Sequence, residues 1–175
     1  MDKSYKELLQ DITTFVFDVD GVFTDGKIII TTSGEMLRTM NVQDGYAVKV
    51  AIQQGYNICI ISGGTNEGVR LRLKGLGVTD IHIGARSPGA VKAPSMKLYN
   101  INPQHVLYMG DDIPDIPPMR LAGIPCCPQN AVPEVKAMSK YISHKHGGDG
   151  CVRDVIEQVL KVRGHWAENF SAKND

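Results

Sequence analysis

Two carboxylates one residue apart, Asp18 and Asp20, stand directly behind an apolar run in the stretch Phe15-Val16-Phe17-Asp18-Val19-Asp20-Gly21-Val22-Phe23-Thr24-Asp25-Gly26. Acids so placed can divide the work of a group transfer, one as nucleophile and the other as general acid and base, or both can help hold a hard cation through oxygen. A lone Asp-x-Asp-Gly is also an ordinary acidic turn. Later segments bear on that choice. Ser62-Gly63-Gly64-Thr65 follows the run Asn57-Ile58-Cys59-Ile60-Ile61 and offers a hydroxyl and closely approachable amides at the mouth of a helix, the neutral donors a phosphoryl group needs. Gly110-Asp111-Asp112-Ile113-Pro114-Asp115 follows His105-Val106-Leu107-Tyr108-Met109. Three carboxylates packed so closely at a strand end repel one another unless a cation is near, so a divalent metal site is the economical explanation.

The elements that must hold these groups alternate between strand-like and helix-like segments, the pattern of an α/β doubly wound parallel sheet with ligands at the carboxyl ends of its strands. Thr14 to Phe17 reads as the first buried strand. Lys27-Ile28-Ile29-Ile30-Thr31 and Met36-Leu37-Arg38-Thr39-Met40, joined through Gly34, read as a small β-hairpin insertion over about 27–40. Asp44-Gly45 opens a helix running to Gln54, Glu67 to Lys74 forms another, and Asp80 to Ile83 is a short strand followed by a third helix. Ile124 to Cys127 and Tyr141-Ile142 are further strands, with helices at Pro133 to Ser139 and Val152 to Val162. The amino terminus reads as a short amphipathic helix, and the tail over about 164–175 is expected to fray. At 175 residues the chain is expected to be a single domain, 1–175, with a full core and no room for a separate cap domain.

Nineteen basic and nineteen acidic residues give a formal net charge of zero, which leaves no electrostatic footprint for nucleic acid or an anionic membrane. Any anionic substrate must therefore be met by local groups. The four cysteines follow no framework spacing and suggest reduced thiols in a cytoplasmic protein. Neither a signal-peptide pattern nor a stretch of membrane-spanning length is visible.

The order of the motifs, strand-DVDG, strand-SGG, lysine, strand-GDDxxD, resembles the haloacid dehalogenase superfamily of aspartyl phosphotransferases. D-x-D-G-V-x-T-D-G, the short chain and the late His146-Gly147-Gly148-Asp149-Gly150 point to its capless branch, whose members include phosphatases of 3-deoxy-D-manno-octulosonate 8-phosphate and of nine-carbon keto-deoxy sugar acid phosphates. The resemblance runs from about Phe15 to Leu160. It implies a phosphatase in which Asp18 is the nucleophile and Asp20 protonates the leaving oxygen, then activates water. It further implies a magnesium ion bridging Asp18, the backbone carbonyl of Asp20 and Asp111, with Asp112 and Asp115 supporting its waters. Ser62 and the amide of Gly63 would hold the phosphoryl oxygens, with Thr24 and Asp25 shaping the loop and the sugar end.

The same resemblance implies a catalytic lysine at the helix before the GDD strand. Lys92 is the first choice, because Pro94 reads as a first-turn residue; Lys97 is the alternative, and Arg86 is a third cation nearby. Arg72 matches an arginine position of the family that suits a sugar carboxylate, and a glycine at Gly64 is more like the eight-carbon enzymes than the nine-carbon ones. Asp149 departs from the family, which carries a lysine in that segment. The resemblance also implies a homotetramer whose hairpins assemble and whose Gly147-Gly148 segment covers a neighbour's site. Ile28-Ile29-Ile30 on a free hairpin would otherwise be an aggregation hazard. The competing expectations are a nine-carbon substrate or a catalytically silent scaffold, the latter disfavoured by intact Asp18, Asp20, Asp111 and Asp112.

Overall fold

β1 (Thr14–Phe17) is buried at every position and sits near the middle of a six-stranded sheet. The computed structural model describes residues 4–84 and 102–166. Within them the order of elements is α1 (Tyr5–Leu9), β1, the hairpin strands β2 (Ile29–Ile30) and β3 (Met36–Leu37), α2 (Val42–Gln53), β4 (Asn57–Ser62), α3 (Glu67–Gly75) and β5 (Asp80–Ile83). There follow β6 (Val106–Met109), α4 (Ile116–Met119), β7 (Ile124–Cys127), α5 (Pro133–Met138), β8 (Tyr141–Ile142) and α6 (Cys151–Val162). The sheet order is β5-β4-β1-β6-β7-β8, and every pairing in it is parallel.

The alternation within β1 explains why both faces must be covered. Phe15 and Phe17 point into the larger core, shared with Ala47, Val48 and Ala51 of α2 and with Val152, Val155, Ile156 and Val159 of α6. Val16 points to the other face, beside Cys59, Ile61, Tyr108, Met119 and Val135. A strand apolar on both sides reads as a continuous hydrophobic run, as this one does. Truncating Phe17 to alanine at such a site costs about 3–5 kcal/mol.

β1 pairs with β4 on one side and β6 on the other, so the chain order reverses here and a crevice opens at the carboxyl ends of these strands. Phe17 is level with Ile60 and Met109, which brings Asp18, Ser62 and Asp111 to one rim. The Asp18 N–H donates to the Met109 carbonyl at 3.1 Å. The ring of Phe23 packs edge-on against Phe17 with centroids 5.5 Å apart, and this ties the loop after β1 back onto the core.

Several boundaries differ from the sequence expectations. The hairpin strands are only two residues each, pair Ile29 with Leu37 and Ile30 with Met36, and form a sheet of their own. α2 begins earlier than Asp44, because the Asn41 side chain accepts the Gln43 N–H and caps the helix. α3 begins at Glu67 under an Asn66 cap, so Ser62-Gly63 ends a strand and does not sit at the helix mouth. A 3-10 turn, Ile113–Asp115, and α4 are absent from the sequence expectations, and prolines suit the first turns of both. The tail is docked as far as Trp166: His165 meets Tyr56 Oη at 2.9 Å, and Trp166 packs edge-on against Tyr46.

Candidate active site

A cavity of about 580 Å³ opens at the crevice, lined by Asp18, Asp20, Ser62, Gly63, Gly64 and Asp111 together with Asp112 and Asp115. One carboxylate oxygen each from Asp18, Asp111 and Asp115 lie within 4.8 Å of one another. Their proximity follows from short local devices. Gly21 is left-handed, with φ of +92°, and a β-carbon there would collide with the Asp111 carboxylate, so a glycine lets that acid reach the nucleophile loop. Gly110 likewise leaves room for the Asp115 side chain.

Asp115 is fixed from three directions. Its Oδ2 accepts the N–H of Asp111 at 3.0 Å and of Asp112 at 3.3 Å, and its Oδ1 accepts Tyr108 Oη at 3.0 Å. Burial, and then the charge of Asp115, push Asp18 well above the ordinary carboxylate range. Burial, and then Asp115 and Asp112, push Asp111 up to about 7. Asp115 itself is raised chiefly by burial. Hard oxygen donors that each resist ionising alone are the surroundings in which a divalent cation is favourable.

The acids of the expected metal set are not equivalent in position. The Asp115 carboxylate stands with those of Asp18 and Asp111. Asp112 is exposed and its Oδ1 accepts the neighbouring Ile113 N–H at 2.7 Å, because the 3-10 turn rotates it outward and brings Asp115 back over Gly110. Asp20 presents its carboxylate elsewhere: Arg38 Nε donates to Oδ1 at 2.7 Å and Nη2 to Oδ2 at 3.2 Å. Sequence reasoning missed Arg38. The available signal was that it is the only charged residue between Glu35 and Asp44.

The remaining candidates fall into three groups. Ser62 is buried at the rim and its Oγ accepts the Gly64 N–H at 3.2 Å, which shapes the Gly63-Gly64 loop facing the acids. Thr24 is fully buried; its Oγ1 accepts the N–H of Gly21 and of Gly26, both at 3.2 Å, so it forms the loop and does not line the cavity. Asp25 is exposed and accepts the Lys27 N–H, which lowers its pKa. Arg72 lines a neighbouring cavity of about 400 Å³ with Leu37, Arg38, Met40 and Asn66. Gly147 and Gly148 pack onto the nucleophile loop of their own chain: the Gly148 N–H donates to the Val22 carbonyl at 2.9 Å, and a β-carbon on Gly147 would strike the Gly21 carbonyl. Lys92, Lys97 and Arg86 lie outside the described residues.

A parallel switch-point sheet with acids on β1 and β6 is the architecture of the haloacid dehalogenase-like hydrolases, and a model of that family matches residues 89–155. A 3-deoxy-D-manno-octulosonate 8-phosphate phosphatase of Salmonella typhi is 32% identical over 155 residues, covering 89% of this chain and 82% of that protein. Two solved structures overlay closely. The enzyme of the same name from Moraxella catarrhalis, in complex with magnesium, phosphate and KDO, is 34% identical with a TM-score of 0.87 over 90% of each chain. The cobalt-bound deoxy-D-mannose-octulosonate 8-phosphate phosphatase of Haemophilus influenzae is 27% identical, with a TM-score of 0.86 over 90% of this chain and 92% of that one. The chain belongs to the haloacid dehalogenase-like hydrolases, in the family of these 3-deoxy-D-manno-octulosonate 8-phosphate phosphatases.

Proposed function

We propose that the protein is a magnesium-dependent phosphomonoester hydrolase that releases phosphate from 3-deoxy-D-manno-octulosonate 8-phosphate through an aspartyl-phosphate on Asp18. The observation that carries the reading is the meeting of the Asp18, Asp111 and Asp115 carboxylates within 4.8 Å in a cavity that also contains Asp20 and Ser62. Those three acids would hold the magnesium ion, which supplies charge neutralisation between the nucleophile and the phosphoryl oxygens.

Asp18 attacks phosphorus opposite the sugar oxygen, and its backbone, bonded to Met109, fixes its place at the strand end. Asp20 gives its proton to the departing sugar alkoxide and, as a carboxylate, then takes one from the water that hydrolyses the acyl phosphate. Ser62 and the Gly63 amide face the transferring oxygens, and a lysine, Lys92 or Lys97, balances their charge. The sugar carboxylate is assigned to the cavity that contains Arg72. Gly64 supports the eight-carbon substrate, since a glycine at this position is more like the eight-carbon enzymes of the family than the nine-carbon ones.

The assembly is a homotetramer formed through the hairpins, supported by the exposure of Ile28, Ile29, Ile30, Met36 and Leu37. Cytoplasmic residence fits four free, buried cysteines. Magnesium-dependent phosphate release across eight- and nine-carbon keto-deoxy acid phosphates and hexose phosphates tests the reading. Preference for the eight-carbon acid supports it, preference for the nine-carbon acid replaces the substrate, and no release from any of them returns the chain to a silent scaffold.

A further inference from the structure

We propose that Arg38 is a positioning residue for Asp20, so that the hairpin, besides any role in assembly, orients the acid that protonates the leaving group. The inference rests on the reading of Asp20 as that acid. Asp20 sits in a loop beyond β1, and its side chain is 35% exposed, so the loop alone does not fix its carboxylate. Arg38 does so from the far side of the crevice. Its Nε and Nη2 donate one bond to each of the two oxygens of Asp20, a forked arrangement that fixes orientation as well as distance. The Arg38 side chain is only 9% exposed, which separates this pair from a solvated surface ion pair of little consequence.

The guanidinium is itself anchored through a continuous set of bonds. Nη1 donates to the Met36 carbonyl at 3.2 Å, and Asn66 Nδ2 donates to the same carbonyl at 3.0 Å. Asn66 is in turn the cap of α3, its Oδ1 accepting the Val69 N–H at 3.0 Å. The first turn of α3 thus holds the hairpin backbone, the hairpin holds Arg38, and Arg38 holds Asp20. Gly64 leaves the room this requires, with Asp20 Oδ2 at 3.3 Å and Arg38 Nη2 at 3.5 Å from where a β-carbon would be.

Arginine stays protonated, so Arg38 is not the proton donor. A carboxylate has about four acceptor positions and the fork uses two, one on each oxygen, so both oxygens keep a free edge for the proton. The proton passes from Asp20 to the sugar oxygen as the P–O bond breaks, and Arg38 acts only through where it sets that oxygen. A sugar alkoxide needs the proton, whereas a nitrophenolate departs without it.

The test is the single-turnover rate of leaving-group release from the best-cleaved sugar phosphate and from p-nitrophenyl phosphate, for wild type, Arg38→Ala, Arg38→Lys and Asp20→Asn. Arg38→Ala is expected to lose about a hundredfold on the sugar phosphate, within the usual range for a general acid, and less than about tenfold on the aryl phosphate. Arg38→Lys falls between, because an ammonium lacks the fork. Adding Arg38→Ala to Asp20→Asn should cost nothing more, since both act on one step. Equal losses on both substrates, or additive losses in the double variant, would overturn the positioning role. If Asp20→Asn itself shows no leaving-group dependence, the role of Asp20 fails, and wild type that cleaves only the aryl phosphate sinks both. Arg38→Gln, closer in size, replaces Arg38→Ala if the alanine variant does not fold.

Discussion

Tyr108 Oη donates to Asp115 Oδ1 at 3.0 Å from inside the sheet, a buried hydroxyl holding the last acid of the GDDxxD segment inward, beside Asp111. The bond fixes which side chains can share a cation. With Asp115 beside Asp18 and Asp111, and Asp112 capping Ile113, Asp112 and Asp115 are placed unequally. Asp115→Asn should raise the magnesium concentration for half-maximal turnover by at least about tenfold, whereas Asp112→Asn should change it by less than about threefold. Magnesium titrations of activity decide this, and a larger effect at Asp112 would reverse the assignment. Tyr108→Phe removes one donor from a buried carboxylate and should weaken magnesium binding in the same direction.

Asp18 bears two loads at once. Its carboxylate is the proposed nucleophile, and burial plus Asp115 make its ionised form unfavourable without a cation. Asp18→Asn should abolish turnover and yet raise the melting temperature of the magnesium-free protein, because a neutral amide no longer repels Asp111 and Asp115. Magnesium should stabilise wild type by mass action, about 2.7 kcal/mol at a hundred times its dissociation constant, and stabilise the variant much less. Thermal melts with EDTA and with magnesium check both halves. Retained turnover would remove Asp18 as nucleophile.

These acids could be found in the sequence because a parallel strand buried on both faces leaves an uninterrupted apolar run, and the polar residues just beyond it must lie at the sheet's carboxyl edge. Phe15 to Asp20 and Val106 to Asp111 are read that way with no knowledge of packing. The difference between Asp112 and Asp115 was not legible, since it depends on a 3-10 turn whose prolines suggest irregular chain. The pairing of Arg38 with Asp20 was not legible for another reason. Its partner is 18 residues earlier, and only the fold of the hairpin over the crevice and its bond to Asn66 bring the two together.

The hairpin strands expose Ile29 at 58% and Ile30 at 73%, so these side chains contribute almost nothing to the stability of one chain. Replacing both with lysine should leave the melting behaviour of the isolated subunit within about 0.5 kcal/mol, as for ordinary surface positions. The same change should break the proposed tetramer into smaller species by light scattering. An unchanged tetramer would move the interface off the hairpin.

Asp44 offers a pH dependence that is separable from the metal site. It lies in the first turn of α2, fully buried, with Oδ1 accepting the Arg153 N–H at 2.7 Å at the start of α6; Oδ2 has no partner among the described residues. Burial raises its pKa from 3.8 to about 6, against the pull of the Arg153 and Gly150 amides and with a further push from Asp149. Between those two values the folded chain holds a proton that the unfolded chain has lost, so this group favours folding at low pH. That contribution disappears as pH rises through about 6, by up to about 3 kcal/mol in all. Asp44→Asn keeps an acceptor for Arg153 and cannot ionise. Urea unfolding of metal-free wild type and variant from pH 4.5 to 8 should show the variant gaining on wild type as pH rises, with the two converging at the acid end. A difference that stays flat with pH would mean that Asp44 remains ionised throughout, its second oxygen satisfied by a group that the fold supplies.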